Sequence, residues 1–320
     1  MRVALIGYGN VGKAFARLLG SKHSSYPFRI VAIHTARHGT AYDSRGLSLH
    51  PEFGAPAASI EEFLDRARAD VAVEITTLNP EGGEPAVSHI KAALGRHIHV
   101  ITANKGPIAN AYAELSADAK MAQVEFRFES TVMDGTPIFN NVRNNLPGVK
   151  ILGFTGVLNS TSKIVLAAMK RGLSLADGIK EAQTLGIAEA DPSYDLEGWD
   201  AAAKAAAIAN VLMDARATPS DVERRGIGDI TPDDLIDLAQ NRKTMIPIAR
   251  GELAAGGLRL QVRPEVVDDT DLLAGASGSS NLLLLHTDLM GTIGIISINP
   301  GVDQTAYGLF SDLIDIAKSL

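Results

Sequence analysis

The chain has 320 residues and a formal net charge of −7, which leaves no basic surface of the kind that neutralises nucleic-acid phosphates. It has no cysteine, so disulfides, thiolate nucleophiles and Cys-built zinc sites are excluded. No apolar run approaches the roughly 20 residues of a membrane-spanning helix, and no basic stretch followed by an apolar one opens the chain. A soluble, cytoplasmic protein with neither nucleic acid nor membrane as partner is expected, and the length favours two compact units.

Up to Phe128 the chain alternates short apolar runs with amphipathic stretches. The runs fall near Val3–Ile6, Arg29–His34, Val71–Ile75, His97–Ile101 and Glu125–Phe128, the rhythm of a parallel doubly wound sheet. "SHIKAALGRHIHVITANKG" shows one whole unit: a helix, a stop at Gly95, and a buried strand ending at Thr102. After Pro147 and Gly148 the pattern changes. A strand-like "KILGFTGVL" leads into the helical "SKIVLAAMKRG" and "SLADGIKEAQTLG", then the polar loop "IAEADPSYDLEG" and the alanine-rich "WDAAAKAAAIANVLMDA". Alternating segments around Leu258–Val262, Ser280–His286 and Thr292–Ile298 read as antiparallel strands. The closing "QTAYGLFSDLIDIAKSL" is an amphipathic helix. The expected fold is α/β: an N-terminal doubly wound, Rossmann-type parallel sheet over 1–148, with helix 304–320 packing back onto it. A second α+β domain over 149–303 is expected to bind substrate and to dimerise.

In "GYGNVG", Gly7, Gly9 and Gly12 follow an apolar strand and, with Asn10 and Val11, open a helix. That is the context a dinucleotide fingerprint requires. Gly7 suits the tight turn, Gly9 lets backbone approach a pyrophosphate, and Gly12 lets the helix pack close to the strand, its N–H groups facing the negative charge. The plain alternative is a glycine-rich turn with no ligand. An NAD site normally has a carboxylate at the end of the second strand to bind the ribose hydroxyls, but this strand ends "VAIHTARHG". Arg37 suits a 2′-phosphate instead, so NADP is favoured and NAD is the second choice, unless Arg37 is only a solvated loop residue.

A second cluster lies in "GIAEADPSYDLEGWDAAAK", where Glu189, Asp191, Asp195, Glu197, Asp200 and Lys204 crowd one loop and the start of a helix. Asp200 and Lys204 are four apart and share a helix face. On a solvated surface that pair would be worth a few tenths of a kcal/mol. The alanine-rich run around it points instead to a protected cleft, where a lysine exchanges a proton with a hydroxyl or carbonyl oxygen. Carboxylates beside it suit an amino-acid substrate bearing an alcohol or aldehyde.

These residues carry a resemblance. "EITTLNPEGGEPAVSHIKAAL", "HVITANKGPIA", "ESTVMDGTPIF", "EADPSYDLEGWDAAAK", "GSSNLLLLHTDLMG" and "QTAYGLFSDLI" resemble, in order, the homoserine dehydrogenase family in its short form without a C-terminal regulatory domain. The resemblance implies reversible NAD(P)-dependent reduction of L-aspartate 4-semialdehyde to L-homoserine, in the biosynthesis of threonine and methionine, by a homodimer. It implies that Lys204 donates the proton, that Glu189 and Asp200 bind the substrate's amino group and hydroxyl, and that Gly186 contacts substrate through its backbone. Lys105 would be a second lysine at the reacting centre and beside the cofactor, and Thr76 and Gly301 further cofactor contacts. Glu129, Val132, Asp134 and Thr136 would match a loop holding a monovalent cation, sodium in the family.

Two departures stand out in "GVLNSTSKIVL", where Ser160 replaces a glycine and Lys163 an asparagine of the family pattern. They leave room for a related dehydrogenase of another hydroxy-amino acid or semialdehyde. A non-catalytic dinucleotide-sensing regulator is the other alternative, although a sensor would need Gly7 to Gly12 but not Lys204.

Overall fold

The computed structural model describes residues 1–79 and 82–320; Pro80 and Glu81, inside the "EITTLNPEGGEP" stretch, lie outside the described residues. The chain divides into two units, Met1–Asn141 with Gly301–Leu320, and Val142–Pro300.

In the first unit, β1 (Arg2–Ile6), α1 (Asn10–Lys22), β2 (Arg29–Thr35), β3 (Gly39–Tyr42), α2 (Ile60–Ala67), β4 (Val71–Glu74), α3 (Ala86–Leu94), β5 (His99–Thr102), α4 (Lys105–Ala122) and β6 (Phe126–Arg127) follow in order. The sheet runs β3-β2-β1-β4-β5-β6, parallel except for the β2–β3 hairpin, the expected Rossmann-type doubly wound arrangement. The hairpin strand β3 escapes the sequence pattern because "GTAY" is too short to show a period. β5 begins at His99 rather than His97, because His97 sits in the left-handed region at φ +56 and turns the chain before the ladder starts. Near-continuous apolar strands fit a parallel sheet covered on both faces: Leu5, Ile33, Val73 and Ile101 are fully buried against Phe15 and Leu19 of α1.

The division falls inside α5 (Phe139–Asn145). The second unit continues with β7 (Ile151–Val157), α6 (Ser160–Lys170), α7 (Leu175–Thr184), α8 (Ser193–Leu196), α9 (Trp199–Leu212), β8 (Glu223–Arg224), α10 (Pro232–Gln240), β9 (Lys243–Ala254), β10 (Gly257–Asp268), β11 (Asn281–Thr287) and β12 (Thr292–Ser297). Its sheet runs β12-β11-β7-β9-β10-β8, antiparallel except between β10 and β8. β9 and β10 form one long hairpin in which Pro247 lies opposite Pro264. Proline and Gly251 within β9 mask its strand character in the sequence, and the β10 signal shows only over its buried middle. Helix α9 packs on β9 and β10. Its alanines from Ala201 to Ala209 are buried, and small side chains let helix and sheet approach closely at full packing density.

The last helix, α11 (Val302–Ser319), belongs to the first unit and lies on α1. Leu309, Leu313 and Ile316 join the core there, and Phe310 meets Tyr26 and Phe28 edge-on at 5.3 and 6.3 Å between ring centres.

Candidate active site

In the first unit a cleft of about 520 Å³ opens at the carboxyl ends of β1, β2 and β4, lined by Gly7, Gly9, His34, Arg37, Thr76 and His89 among others. Gly7 has φ +105, and a Cβ there would lie 2.6 Å from the Ile75 carbonyl oxygen. The turn and the neighbouring strand leave room for hydrogen only. Gly9 caps α1 with ordinary φ of −81°, yet a Cβ on it would meet nothing within 4 Å. Its bareness therefore serves no packing within the described residues and leaves an open cradle at the helix N-terminus, beside the first-turn residues Asn10 and Val11. Gly12 faces the Ile75 side chain, whose Cδ1 would lie 3.0 Å from a Cβ. A glycine cradle, a helix N-terminus without acidic residues in its first turn and an adjoining cleft fit a dinucleotide.

No carboxylate lines this cleft among the described residues. Arg37 sits exposed on the turn between β2 and β3. The His34 ring is 3.0 Å from the Thr40 hydroxyl, and burial, with His89 nearby, holds its pKa below the ordinary value.

Thr76 is fixed from beneath by a residue that sequence reasoning missed. Glu74, only 1% exposed, accepts hydrogen bonds from the Thr76 N–H at 3.1 Å and from the hydroxyls of Thr76 and Thr102. The signal available was a lone carboxylate ending an otherwise apolar strand, "VAVE". The Asn104 amide donates to the Thr76 carbonyl at 3.3 Å, and its oxygen caps α4 through Gly106 N–H at 3.0 Å. Lys105 is thereby held, half-buried, as the first residue of α4. Gly301 caps α11 in extended conformation, its N–H donating to Gln304 Oε1 at 3.0 Å.

Glu129 has partners other than those the resemblance implies. Its buried carboxylate accepts backbone N–H groups of Ile138, Phe139 and Asn140 at 2.5, 2.9 and 2.6 Å, and burial pushes its pKa up to about 7. Asp134 Oδ1 accepts from the Thr305 hydroxyl at 3.2 Å, and the Thr136 carbonyl accepts from Ile138 N–H. Val132 is buried. The Glu129 carboxylate is thus turned to three backbone donors. No step of the reaction is assigned to a sodium ion there.

In the second unit Asp200 and Lys204 pair at 2.9 Å with side chains only 14% and 16% exposed, so they are not a solvated surface pair. The Lys204 ammonium also donates to the Leu158 carbonyl at 2.7 Å. The next residue, Asn159, accepts Ser162 N–H at 2.8 Å as the cap of α6. Its amide donates to Asp195 at 2.7 Å and to Asp200 at 3.0 Å. Burial, and then the charge of Asp200, raises the Asp195 pKa. Glu189 and Gly186 lie on the exposed loop after α7, where the Glu189 carbonyl accepts from Gln183 at 3.2 Å. The structure thus gathers Asp200 and Lys204 with Asn159 and Asp195, and leaves Glu189 and Gly186 outside that hydrogen-bonded group. Asn159 was missed because its local signal, an Asn before "STS", speaks only of a helix cap.

The two departures also find partners. Ser160 Oγ donates to the Ser279 carbonyl at 3.0 Å. Lys163, 6% exposed, donates to the carbonyls of Ala276, at 3.1 Å, and Ser280. Both tie α6 to the loop before β11.

Residues 137–314 match the family model for homoserine dehydrogenase, and residues 7–129 that for the homoserine dehydrogenase NAD binding domain. The chain belongs to the homoserine dehydrogenase family. It is 37% identical to a homoserine dehydrogenase of Methanocaldococcus jannaschii, covering 100% of this chain and 99% of that one. It is 35% identical to an NAD(+)-dependent homoserine dehydrogenase of Pseudomonas canavaninivorans, covering 99% and 96%. A hyperthermophilic archaeal homoserine dehydrogenase solved in complex with NADPH superposes with a TM-score of 0.83 at 28% identity, covering 100% and 98%. The Thiobacillus denitrificans homoserine dehydrogenase superposes at 0.86 and 26%, covering 99% and 73%. The activity is that of an NAD(P)-dependent oxidoreductase acting on a hydroxyl group. No helix among the described residues is long and apolar enough to cross a membrane.

Proposed function

We propose that Lys204 carries the proton in the interconversion of L-homoserine and L-aspartate 4-semialdehyde, and that NADP is the preferred cofactor. The observation that carries the first part is the enclosed ammonium of Lys204, held by Asp200 at 2.9 Å and by the Leu158 carbonyl at 2.7 Å. The nicotinamide, when bound, supplies the hydride to the aldehyde carbon or takes it back. As the carbonyl π pair moves to oxygen, Lys204 stabilises the developing charge and gives up the proton that completes the hydroxyl. In the reverse direction neutral Lys204 takes that proton. Glu189 and Asp200 receive the substrate's amino group and hydroxyl, Gly186 contacts it through the backbone, and Lys105 assists by its charge.

NADP preference is supported by Arg37 on the cleft rim and by a β2 end without a carboxylate. The glycine cradle, Asn10, Val11, Thr76 and Gly301 serve the cofactor in this reading. Homodimerisation through the second sheet is supported by the exposed apolar side chains of Leu152, Ile296 and Ile298 on and beside it. Amino-acid biosynthesis in the cytoplasm is the setting this reading implies.

Following nicotinamide absorbance with L-homoserine and each cofactor in turn tests the reading. Turnover faster with NADP than NAD is expected, and no turnover with either would reject it. Sedimentation tests the assembly: a monomer at micromolar concentration would rule the dimer out.

A further inference from the structure

Gly198 joins α8 to α9 and caps α9 with φ +84, a left-handed conformation that only glycine takes up freely and leaves as freely. A soft joint therefore separates Asp195 on α8 from the Asp200–Lys204 pair on α9. Arg224, from the edge strand β8, holds both sides of that joint. Its guanidinium donates to the Glu197 carbonyl at 2.8 Å, and its Cζ lies 3.6 Å from the centre of the Trp199 ring. The Arg224 stem passes the joint itself, its Cγ only 3.3 Å from where a Cβ on Gly198 would stand.

The strand that carries Arg224 is fixed on both flanks. Arg224 pairs in register with Val262 of β10, and two residues past the strand's end Gly226 leaves no room for a side chain, since a Cβ there would lie 2.5 Å from the Leu196 carbonyl oxygen. That same carbonyl accepts from Ile227 N–H at 2.9 Å. On the helix side the Trp199 indole meets the Tyr194 ring, with centres 6.1 Å apart and planes 26° from parallel. Tyr194 directly precedes Asp195, and Trp199 directly precedes Asp200.

We propose that Arg224 is a positioning residue for the reaction, holding the Gly198 joint at the angle that aims the Asp200–Lys204 pair at the substrate. The role rests on Lys204 being the proton carrier. A planar guanidinium can lay its face on an indole while its edge donates to a carbonyl, and an ammonium cannot do both in one geometry. Proton transfer tolerates little drift, because a misplacement of about 1 Å can cost roughly 10²-fold in rate.

The test compares Arg224→Met, Arg224→Lys and the parent protein, each also in a Lys204→Ala background. Trp199 is the one tryptophan of the chain, so its emission reports the stack directly and should shift to the red in Arg224→Met as the guanidinium leaves the ring to water. The kcat for homoserine oxidation should fall about 10-fold in Arg224→Met, while the KM for NADP stays at the parent value. Arg224→Lys should recover only part of that loss. In the Lys204→Ala background the loss on adding Arg224→Met should nearly vanish, because the pair being aimed is no longer there. A full 10-fold further loss in that background would show general loosening and overturn the proposal. Unshifted emission or parent-like kcat in Arg224→Met would overturn it too, as would full recovery in Arg224→Lys, which would leave charge alone as the cause. Should Arg224→Met not fold, Arg224→Lys decides by the same measurements, and parent-like kcat there overturns the clamp. Parent-like turnover in Lys204→Ala would reject the proton carrier itself, and the role of Arg224 with it; parent-like turnover confined to the Arg224 variants would reject only the clamp.

Discussion

The Asn159 side-chain amide donates to Asp200 at 3.0 Å while its oxygen accepts Ser162 N–H at 2.8 Å. One side chain therefore starts a helix and holds the carboxylate that pairs with Lys204. The two duties separate by substitution. Asn159→Ser keeps a good cap but has no amide for the carboxylates, whereas Asn159→Ala loses both. Thermal melts should place Asn159→Ala about 1 kcal/mol below Asn159→Ser. Turnover should fall in both, by roughly 10-fold or more, since a hydrogen bond to a charged group is worth about 1.5–3 kcal/mol. Full turnover in Asn159→Ser would show that the bridge does not position Asp200.

Gly9 and Gly7 should respond differently to the same added methyl group. At Gly9 a Cβ meets nothing within 4 Å, so Gly9→Ala should melt like the parent protein while NADPH binding weakens by roughly 10-fold or more. At Gly7, with φ +105 and the Ile75 oxygen 2.6 Å from a Cβ, alanine should destabilise the fold itself by at least about 1–2 kcal/mol. Fluorescence titration beside thermal melts checks both. Parent-like NADPH affinity in Gly9→Ala would mean that the open cradle holds no pyrophosphate.

Much of the dinucleotide cleft was readable from the chain because local patterns determine it: an apolar strand, spaced glycines and a helix start lie within one short stretch. The buried cluster was half readable. Asp200 and Lys204 share a helix face by spacing alone, but Asn159 reaches them only through tertiary folding. Lys163 sits in "SKIVLAAMK", where spacing suggests a polar helix face, and is buried only because the loop before β11 brings carbonyls to it. β9 stayed hidden for a local reason, since Pro247 and Gly251 interrupt its pattern. Glu129 was legible only as a motif residue; that its carboxylate accepts the backbone N–H groups of Ile138, Phe139 and Asn140 follows from the fold.

Cofactor choice tests Arg37. Arg37→Ala should weaken NADP by about 1.5–3 kcal/mol and leave NAD nearly unchanged, because only NADP carries the 2′-phosphate. Arg37→Lys should fall between, keeping the charge but losing the planar fork. Parallel titrations check this: equal losses for the two cofactors would mean that Arg37 shapes the turn rather than holding phosphate.

His99 links stability to pH. Its Nδ1 accepts Glu125 N–H at 3.0 Å, which requires the neutral ring, and burial lowers its pKa from 6.5. As pH falls below about 6.5 the unfolded chain takes up the proton first, so stability is full above that pH and declines as it drops toward the depressed native pKa. Asn in its place keeps an acceptor without a titrating ring. The difference in urea midpoint between His99→Asn and the parent should therefore move in favour of the variant from pH 7.5 to pH 5. A difference that does not change with pH would contradict this.

The most direct measurement of the account is turnover of L-homoserine by Lys204→Ala with the cofactor dissociation constant measured on the same sample. A proton carrier contributes about 10²–10⁴-fold, so kcat should fall by that order while NADP binds as in the parent, because the glycine cradle belongs to the other unit. Near-normal turnover in a folded Lys204→Ala protein would contradict the assignment of Lys204.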